Sequence, residues 1–244
     1  MSRRSVPTPA APDVRSEHAG LPYWLWLPRG PRPWPAMVVC HGAGSAKANH
    51  GDFARACAAR GWAALTFDAR GHGEAREEMS PAALGDVTRM ARLLAETDGV
   101  DRTRICVRGS SMGGFMAIHA AATSDLIAGA IAICPAGEEH LASGFRSGRF
   151  DAIRIGDSNR DAMLAWLGEL DLREAVELIG PKPLLLAHAQ GDLRIPSDWS
   201  VELYERAADP RRLILVPGGT HTSVQHDAEI QEASLRWLER NLRR

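Results

Sequence analysis

The chain has 244 residues, of which 45% are hydrophobic, and a formal net charge of -1 at pH 7. That is enough apolar material for one α/β domain, since folding at this length hides roughly three quarters of the unfolded surface. A charge so near zero projects no global field, so neither nucleic acid nor an anionic membrane is an expected partner.

Residues 1–18 are polar and proline-rich and are expected to form a flexible N-terminus. They lack the apolar stretch of about 7–15 residues that a secretory signal needs, and no later run approaches the roughly 18 apolar residues of a membrane span. The cytoplasm is therefore the expected location. Leu21–Leu27 alternates around Trp24 and Trp26 and predicts a strand or hairpin arm at a sheet edge. From Pro35 onward, apolar runs predict strands at Ala36–Cys40, Trp62–Asp68, Ile105–Arg108, Ile127–Cys134, Leu184–His188 and Leu213–Val216. Their continuous hydrophobicity is that of strands covered on both faces. Between them, helical spacing marks His50–Arg60, Pro81–Glu96, Met112–Thr123, Pro196–Ala208 and His226–Leu242. The alternation predicts a mostly parallel central sheet with helices on both faces, in a single domain over residues 1–244. Residues 137–168 interrupt the rhythm with several glycines among charged and aromatic residues, and are expected to form a small helical cap insertion. Cys40, Cys57, Cys106 and Cys134 show no C-x-x-C spacing and mostly lie in apolar runs, so they read as small buried hydrophobes.

The chemistry concentrates after the strands. Gly109-Ser110-Ser111-Met112-Gly113 is a G-x-S-x-G sequence between a strand and a helix, the context in which a sharp turn presents a serine at a helix N-terminus. Only Ser111 has glycine at both required positions. A serine hydroxyl needs a base, usually histidine, itself oriented by a carboxylate. Asp192 follows the Leu184–His188 strand in a glycine-containing turn, and His221 follows the last strand in Pro217-Gly218-Gly219-Thr220-His221. Both fall at carboxyl ends of strands, where open α/β sheets place their sites. His226 remains the rival base, and Glu138 and Glu139, just after Cys134-Pro135, remain rival acids. His41 and His72 read as loop-shaping residues and His188 as a satisfied core residue. No ligand spacing such as H-E-x-x-H suggests a metal, and no cofactor fingerprint follows a strand.

The order Ser111, Asp192, His221 resembles the α/β-hydrolase superfamily, and within it the dienelactone-hydrolase-like and small serine esterase branches. The resemblance runs from about Ala36 to the C-terminus and includes His41-Gly42-Ala43-Gly44, similar to an oxyanion turn, and Asp68-Ala69-Arg70-Gly71-His72-Gly73. It implies an α/β-hydrolase fold and backbone N–H groups of Ala43 and Met112 as the oxyanion hole. Serine stands where dienelactone hydrolases carry cysteine. The activity expected is cleavage of small to medium carboxylic esters, a small-molecule partner, without cofactor or metal. Peptide, amide or thioester cleavage on the same fold, or a catalytically silent binding protein, are the alternatives.

Overall fold

The computed structural model describes residues 11–242. Its strands are β1 (Val14–His18), β2 (Leu21–Trp26), β3 (Trp34–Cys40), β4 (Ala63–Phe67), β5 (Val100–Ser110), β6 (Ile127–Ile133), β7 (Leu184–Ala189) and β8 (Arg211–Val216). The helices are α1 (Gly51–Ala59), α2 (Ala83–Glu96), α3 (Met112–Thr123), α4 (Glu138–Arg146), α5 (Asp157–Leu167), α6 (Leu172–Ile179), α7 (Asp198–Arg206), α8 (Ser223–His226) and α9 (Ala228–Asn241). The strands form one sheet in the order β1-β2-β4-β3-β5-β6-β7-β8. The β1–β2 and β2–β4 pairs are antiparallel, and every pairing from β4 across to β8 is parallel. This is the α/β-hydrolase fold.

The period of two along each strand divides the core between the faces. Along β3, Ala36, Val38 and Cys40 pack on one side while Met37 and Val39 pack on the other. The first side is covered by Val87 and Met90 of α2, Ile118 of α3, Val176 of α6 and Leu203 of α7. The second is covered by Phe53 and Cys57 of α1 and by Leu235 and Leu238 of α9. A strand buried on both faces has no polar side to show, which is why these runs read as continuous hydrophobicity.

The expected flexible segment 1–18 is corrected at its end: Val14–His18 is an ordered edge strand paired residue by residue with β2. Residues 1–10 lie outside the described part. The strand escapes hydrophobic periodicity because Arg15, Ser16 and Glu17 are exposed on a sheet edge, where charge guards against unwanted pairing. Ala19 and Gly20, with φ of 51 and 79, close a two-residue hairpin that needs positive φ at both positions. Two further differences follow from local chemistry. β5 begins at Val100 rather than Ile105, its first half being polar and partly exposed. The segment after Gly168 adds α6, capped by Asp171, which accepts a hydrogen bond from Arg173 N at 2.7 Å; its buried Leu172, Ala175, Val176 and Ile179 form a single helical stripe.

Residues 137–168 fold as α4, α5 and the stretch between them. Phe145 and Phe150 pack edge to face there at 5.3 Å.

Candidate active site

The chain leaves β3 outward to β4 and then returns to pair β5 with β3 on its other side, so the sheet reverses its winding between β3 and β5. Such a switch point opens a crevice beyond the strand ends. Ser111 stands there, immediately after β5 and before α3, with φ 55 and ψ -119. That backbone region costs an L-residue about 1–3 kcal/mol and persists only when the surroundings hold it. Three bonds do so: Ser111 N donates to Ile133 O at 2.9 Å, and Ser111 O accepts from Ala136 N and Phe115 N, both at 3.1 Å. Glycine is needed on each side. A Cβ at Gly109 would fall on the Gly113 carbonyl, and one at Gly113 on the carbonyl of Cys40. Ser110, by contrast, is buried and donates its hydroxyl to Gln225 Oε1 at 2.5 Å.

Adjacent strands bring the other two residues together. The turns after β7 and β8 touch through Gln190 N to Val216 O and Gly191 N to Gly218 O, each at 2.8 Å. A Cβ at Gly191 would stand 2.5 Å from Gly219 O, so glycine permits this approach. Asp192 Oδ2 then accepts a 2.6 Å hydrogen bond from His221 Nδ1. Its Oδ1 accepts from Arg194 N at 2.8 Å and Ile195 N at 3.1 Å. Burial works to raise the Asp192 pKa, but hydrogen bonds from His188, His221 and these two backbone groups outweigh it and hold the carboxyl well below the usual range. It is ionised wherever the protein is folded near neutrality.

His188 was expected to be a satisfied core residue, and it is buried and bonded; its second role was not visible in the sequence. Its Nδ1 accepts from Ser200 Oγ at 2.7 Å. Its Nε2–H is shared between Ile195 O at 3.0 Å and Asp192 Oδ2 at 3.2 Å. The only available signal was that His188 and Asp192 are four apart across a strand end, which no periodicity argument flags.

Ser111 and His221 line one cavity of about 440 Å³. No hydrogen bond joins them among the described residues; bonds of this type commonly tighten only with substrate in place. The rival base also lines this cavity. His226 Nδ1 donates to Asp52 at 2.9 Å, however, and its Nε2 is taken by Gln225 at 2.9 Å. His221 Nε2 has no hydrogen-bond partner among the described residues. The rival acids sit elsewhere: Glu138 Oε1 lies 3.8 Å from His119, and Glu139 pairs with Arg146 at 3.1 Å.

The His41–Gly44 turn closes against the serine, and a Cβ at Gly42 would lie 3.3 Å from Ser111 Cβ. Ala43 lines the cavity. Met112, as the first residue of α3, has a backbone N–H without a partner inside the helix. His41 shapes this turn: Nδ1 donates to Gly42 O at 2.8 Å while Nε2 accepts from Ala69 N at 3.0 Å. Burial, reinforced by His72, lowers its pKa to about 4, so it stays neutral in this arrangement. His72 donates from Nδ1 to Arg70 O at 2.8 Å and likewise braces its own loop.

Arg108, fully buried in β5 behind the elbow, was also missed. It lies 4.4 Å over the Phe53 ring and donates to Gln225 O at 2.8 Å, fixing the short helix that follows His221.

One trio could in principle hold a metal: Cys134, Asp192 and His221 offer ligand atoms within 4.8 Å of one another. Burial pushes the Cys134 thiol up to about 12, so the sulfur keeps its proton. A protonated thiol and a carboxylate already bonded to an imidazole form a hydrogen-bonded shell rather than a thiolate ligand set.

Comparison with known proteins gives the family and the fold. Residues 31–155, just over half of the chain, match the family model described as serine aminopeptidase, S33. Protein YfhR of Escherichia coli K12 is 28% identical over 199 residues, covering 78% of this chain and 64% of its own length. A 2,6-dihydropseudooxynicotine hydrolase of Paenarthrobacter nicotinovorans is 31% identical over 115 residues, 46% of this chain and 31% of its own. The chain thus spans less than two thirds of these relatives. Among solved structures, Est1E from Butyrivibrio proteoclasticus, with ferulic acid bound, superposes with a TM-score of 0.76 over 95% of this chain and 100% of its own at 19% identity, a likeness of fold. The chain belongs to the serine aminopeptidase S33 family and is an α/β hydrolase.

Proposed function

We propose that the protein is a serine carboxylesterase acting on small to medium esters through Ser111, His221 and Asp192. The observation that carries the reading is the Asp192–His221 bond of 2.6 Å, which fixes the proton on Nδ1 and leaves Nε2 available on a ring that lines the same cavity as Ser111. Ser111 Oγ attacks the ester carbonyl as its proton passes to His221 Nε2. The carbon–oxygen bond to the alcohol then breaks and His221 returns that proton to the departing oxygen. Water, deprotonated by the same nitrogen, releases the acid and regenerates Ser111. The N–H groups of Ala43 and Met112 stabilise the tetrahedral oxyanion, donors worth about 3–4 kcal/mol each where measured. The four buried, unpaired thiols suit a reducing compartment such as the cytoplasm.

A panel of nitrophenyl esters of graded chain length, run beside Ser111→Ala, tests this reading. Turnover that survives in Ser111→Ala refutes it. Thioester and anilide analogues of the best ester separate the amidase and thioesterase alternatives. A silent binding protein would fail to react with an active-site-directed phosphonate.

A further inference from the structure

The chain contains 30 aspartate and glutamate residues, as against 29 lysines and arginines. None of the acidic residues lines the cavity around Ser111 or the adjoining cavity of about 340 Å³, whereas Arg149 and Arg194 line both. Balanced overall charge therefore gives way to a purely cationic mouth. The two guanidiniums are also exposed and free of ion pairs among the described residues. Their neighbours are not: Arg146 is held by Glu139 at 3.1 Å and Arg160 lies 3.9 Å from Asp151. Arg149 comes from the stretch between α4 and α5, and Arg194 from the turn that carries Asp192. Phe150 and the 99% exposed Leu193 line the second cavity with them.

Resting on the esterase reading, we infer that the substrate ester bears a second, ionised acid group, a carboxylate, bound by Arg149 and Arg194 at the mouth while the ester reaches Ser111. A planar guanidinium matches a carboxylate with two parallel hydrogen bonds, and both arginines have all their donors available. Phe150 and Leu193 supply apolar contact for the carbon chain between the two groups. The same mouth disfavours the substrate of an aminopeptidase. A free ammonium would need a carboxylate to offset its desolvation and would find two positive charges instead.

The test compares mono-p-nitrophenyl glutarate with p-nitrophenyl pentanoate and with a p-nitrophenyl ester of similar length ending in trimethylammonium. The acetate ester of meta-hydroxybenzoate is compared with phenyl acetate in parallel, so that a carboxylate on the alcohol side is distinguished from one on the acyl side. The expected result is that kcat/KM for the anionic member of one pair exceeds its neutral partner by about tenfold or more, the worth of one charge-assisted hydrogen bond. The preference should reside in KM, shrink with added salt, and drop by about tenfold in Arg149→Ala or Arg194→Ala with partial recovery in Arg194→Lys. Neutral esters cleaved as well as both anionic ones, or the cationic ester preferred, would overturn the inference and leave the esterase reading standing. If no ester is cleaved in a Ser111-dependent way, the esterase reading fails. The mouth is still judged by titrating Ser111→Ala with glutarate monoamide: binding that weakens in the added Arg149→Ala background supports the cationic subsite, and no binding refutes it.

Discussion

Asp192→Asn probes the arrangement at its most constrained point. In the native site all four hydrogen bonds at the carboxylate are accepted ones: Oδ1 takes two backbone N–H groups and Oδ2 takes the imidazoles of His221 and His188. An asparagine has one acceptor oxygen. If that oxygen faces His221, the amide NH2 points at the N–H groups of Arg194 and Ile195, and one part-buried and one buried donor lose their partner, the buried one at about 1–3 kcal/mol. If it stays toward the backbone, the NH2 faces His221 Nδ1, and the ring must move its proton to Nε2, the nitrogen that has to accept from Ser111. The second arrangement orphans fewer groups and should prevail. The expected loss in kcat is about 10⁴, as found for the equivalent change in a well-studied serine protease, or about 5.4 kcal/mol of barrier. Steady-state kinetics with folding checked by circular dichroism reads this directly; Glu139→Gln, at an exposed ion pair, should stay within about threefold of wild type, and Glu138→Gln, whose largely buried carboxylate faces His119 and not His221, should cost far less kcat than Asp192→Asn. Stability gives a second measure. The folded Asp192 pKa is depressed below its unfolded value of 3.8, so its contribution is present above that value and disappears as pH falls through the folded one. The difference in urea midpoint between wild type and Asp192→Asn should be constant above about pH 5 and narrow below about pH 4. Near-normal kcat in Asp192→Asn with collapse in either glutamine variant would refute the assignment of the acid.

Ser111→Ala should abolish ester turnover while remaining folded, whereas Ser110→Ala should retain most activity and lose about 1 kcal/mol with its bond to Gln225; the reverse pattern in kinetics would place the nucleophile one residue earlier. Gly113→Ala should fail to give soluble folded protein or lose more than about 2 kcal/mol, because its Cβ meets the β3 backbone, which cannot yield as a side chain can; a wild-type melting temperature would contradict the elbow geometry. Ser200→Ala removes the hydroxyl donor of His188, should cost about 1–3 kcal/mol in urea denaturation, and should lower kcat modestly through His188 and Asp192; unchanged stability and kinetics would show that Asp192 does not depend on that chain.

Most of the sheet, and the placement of the three candidate residues beyond strand ends, were legible because the physics behind them is local. A doubly covered strand must be apolar throughout, and α3 from Met112 to Thr123 begins at the elbow that Gly109 and Gly113 shape. Ser111, Asp192 and His221 each follow a strand, and parallel strands deliver their ends to one edge. What was hidden depends on contacts across the chain. β1 is polar because it guards an edge, Arg108 is a buried cation held by a ring and a carbonyl far away in sequence, and the link from Ser200 through His188 to Asp192 exists only once β7 and α7 pack. The cationic mouth was likewise unreadable, since Arg149 and Arg194 lie 45 positions apart in the numbering and charge balance over the whole chain conceals a local excess.

The stretch between α4 and α5 is fastened shortly after Phe150. Arg154 N donates to Gly71 O at 2.9 Å, Met79 N donates to Arg154 O at 2.9 Å, and Gly156 N donates to Glu78 at 3.0 Å. The glycine at 71 makes this seam possible, because a Cβ there would stand 2.7 Å from Arg154 O. The loop of Gly71 is in turn tied through Ala69 to His41 and the turn beside Ser111. The seam and the turn bearing Ala43 are therefore tied to one another, and residues 147–152 bridge from α4 to the seam, held to α4 by the Phe145–Phe150 contact. Passage of molecules then depends on a span of a few residues and two surface side chains, which move in nanoseconds to microseconds, rather than on a slow swing of the whole segment. Under the esterase reading proposed above, turnover is then expected to be paced by acyl transfer at Ser111 and not by movement of this stretch.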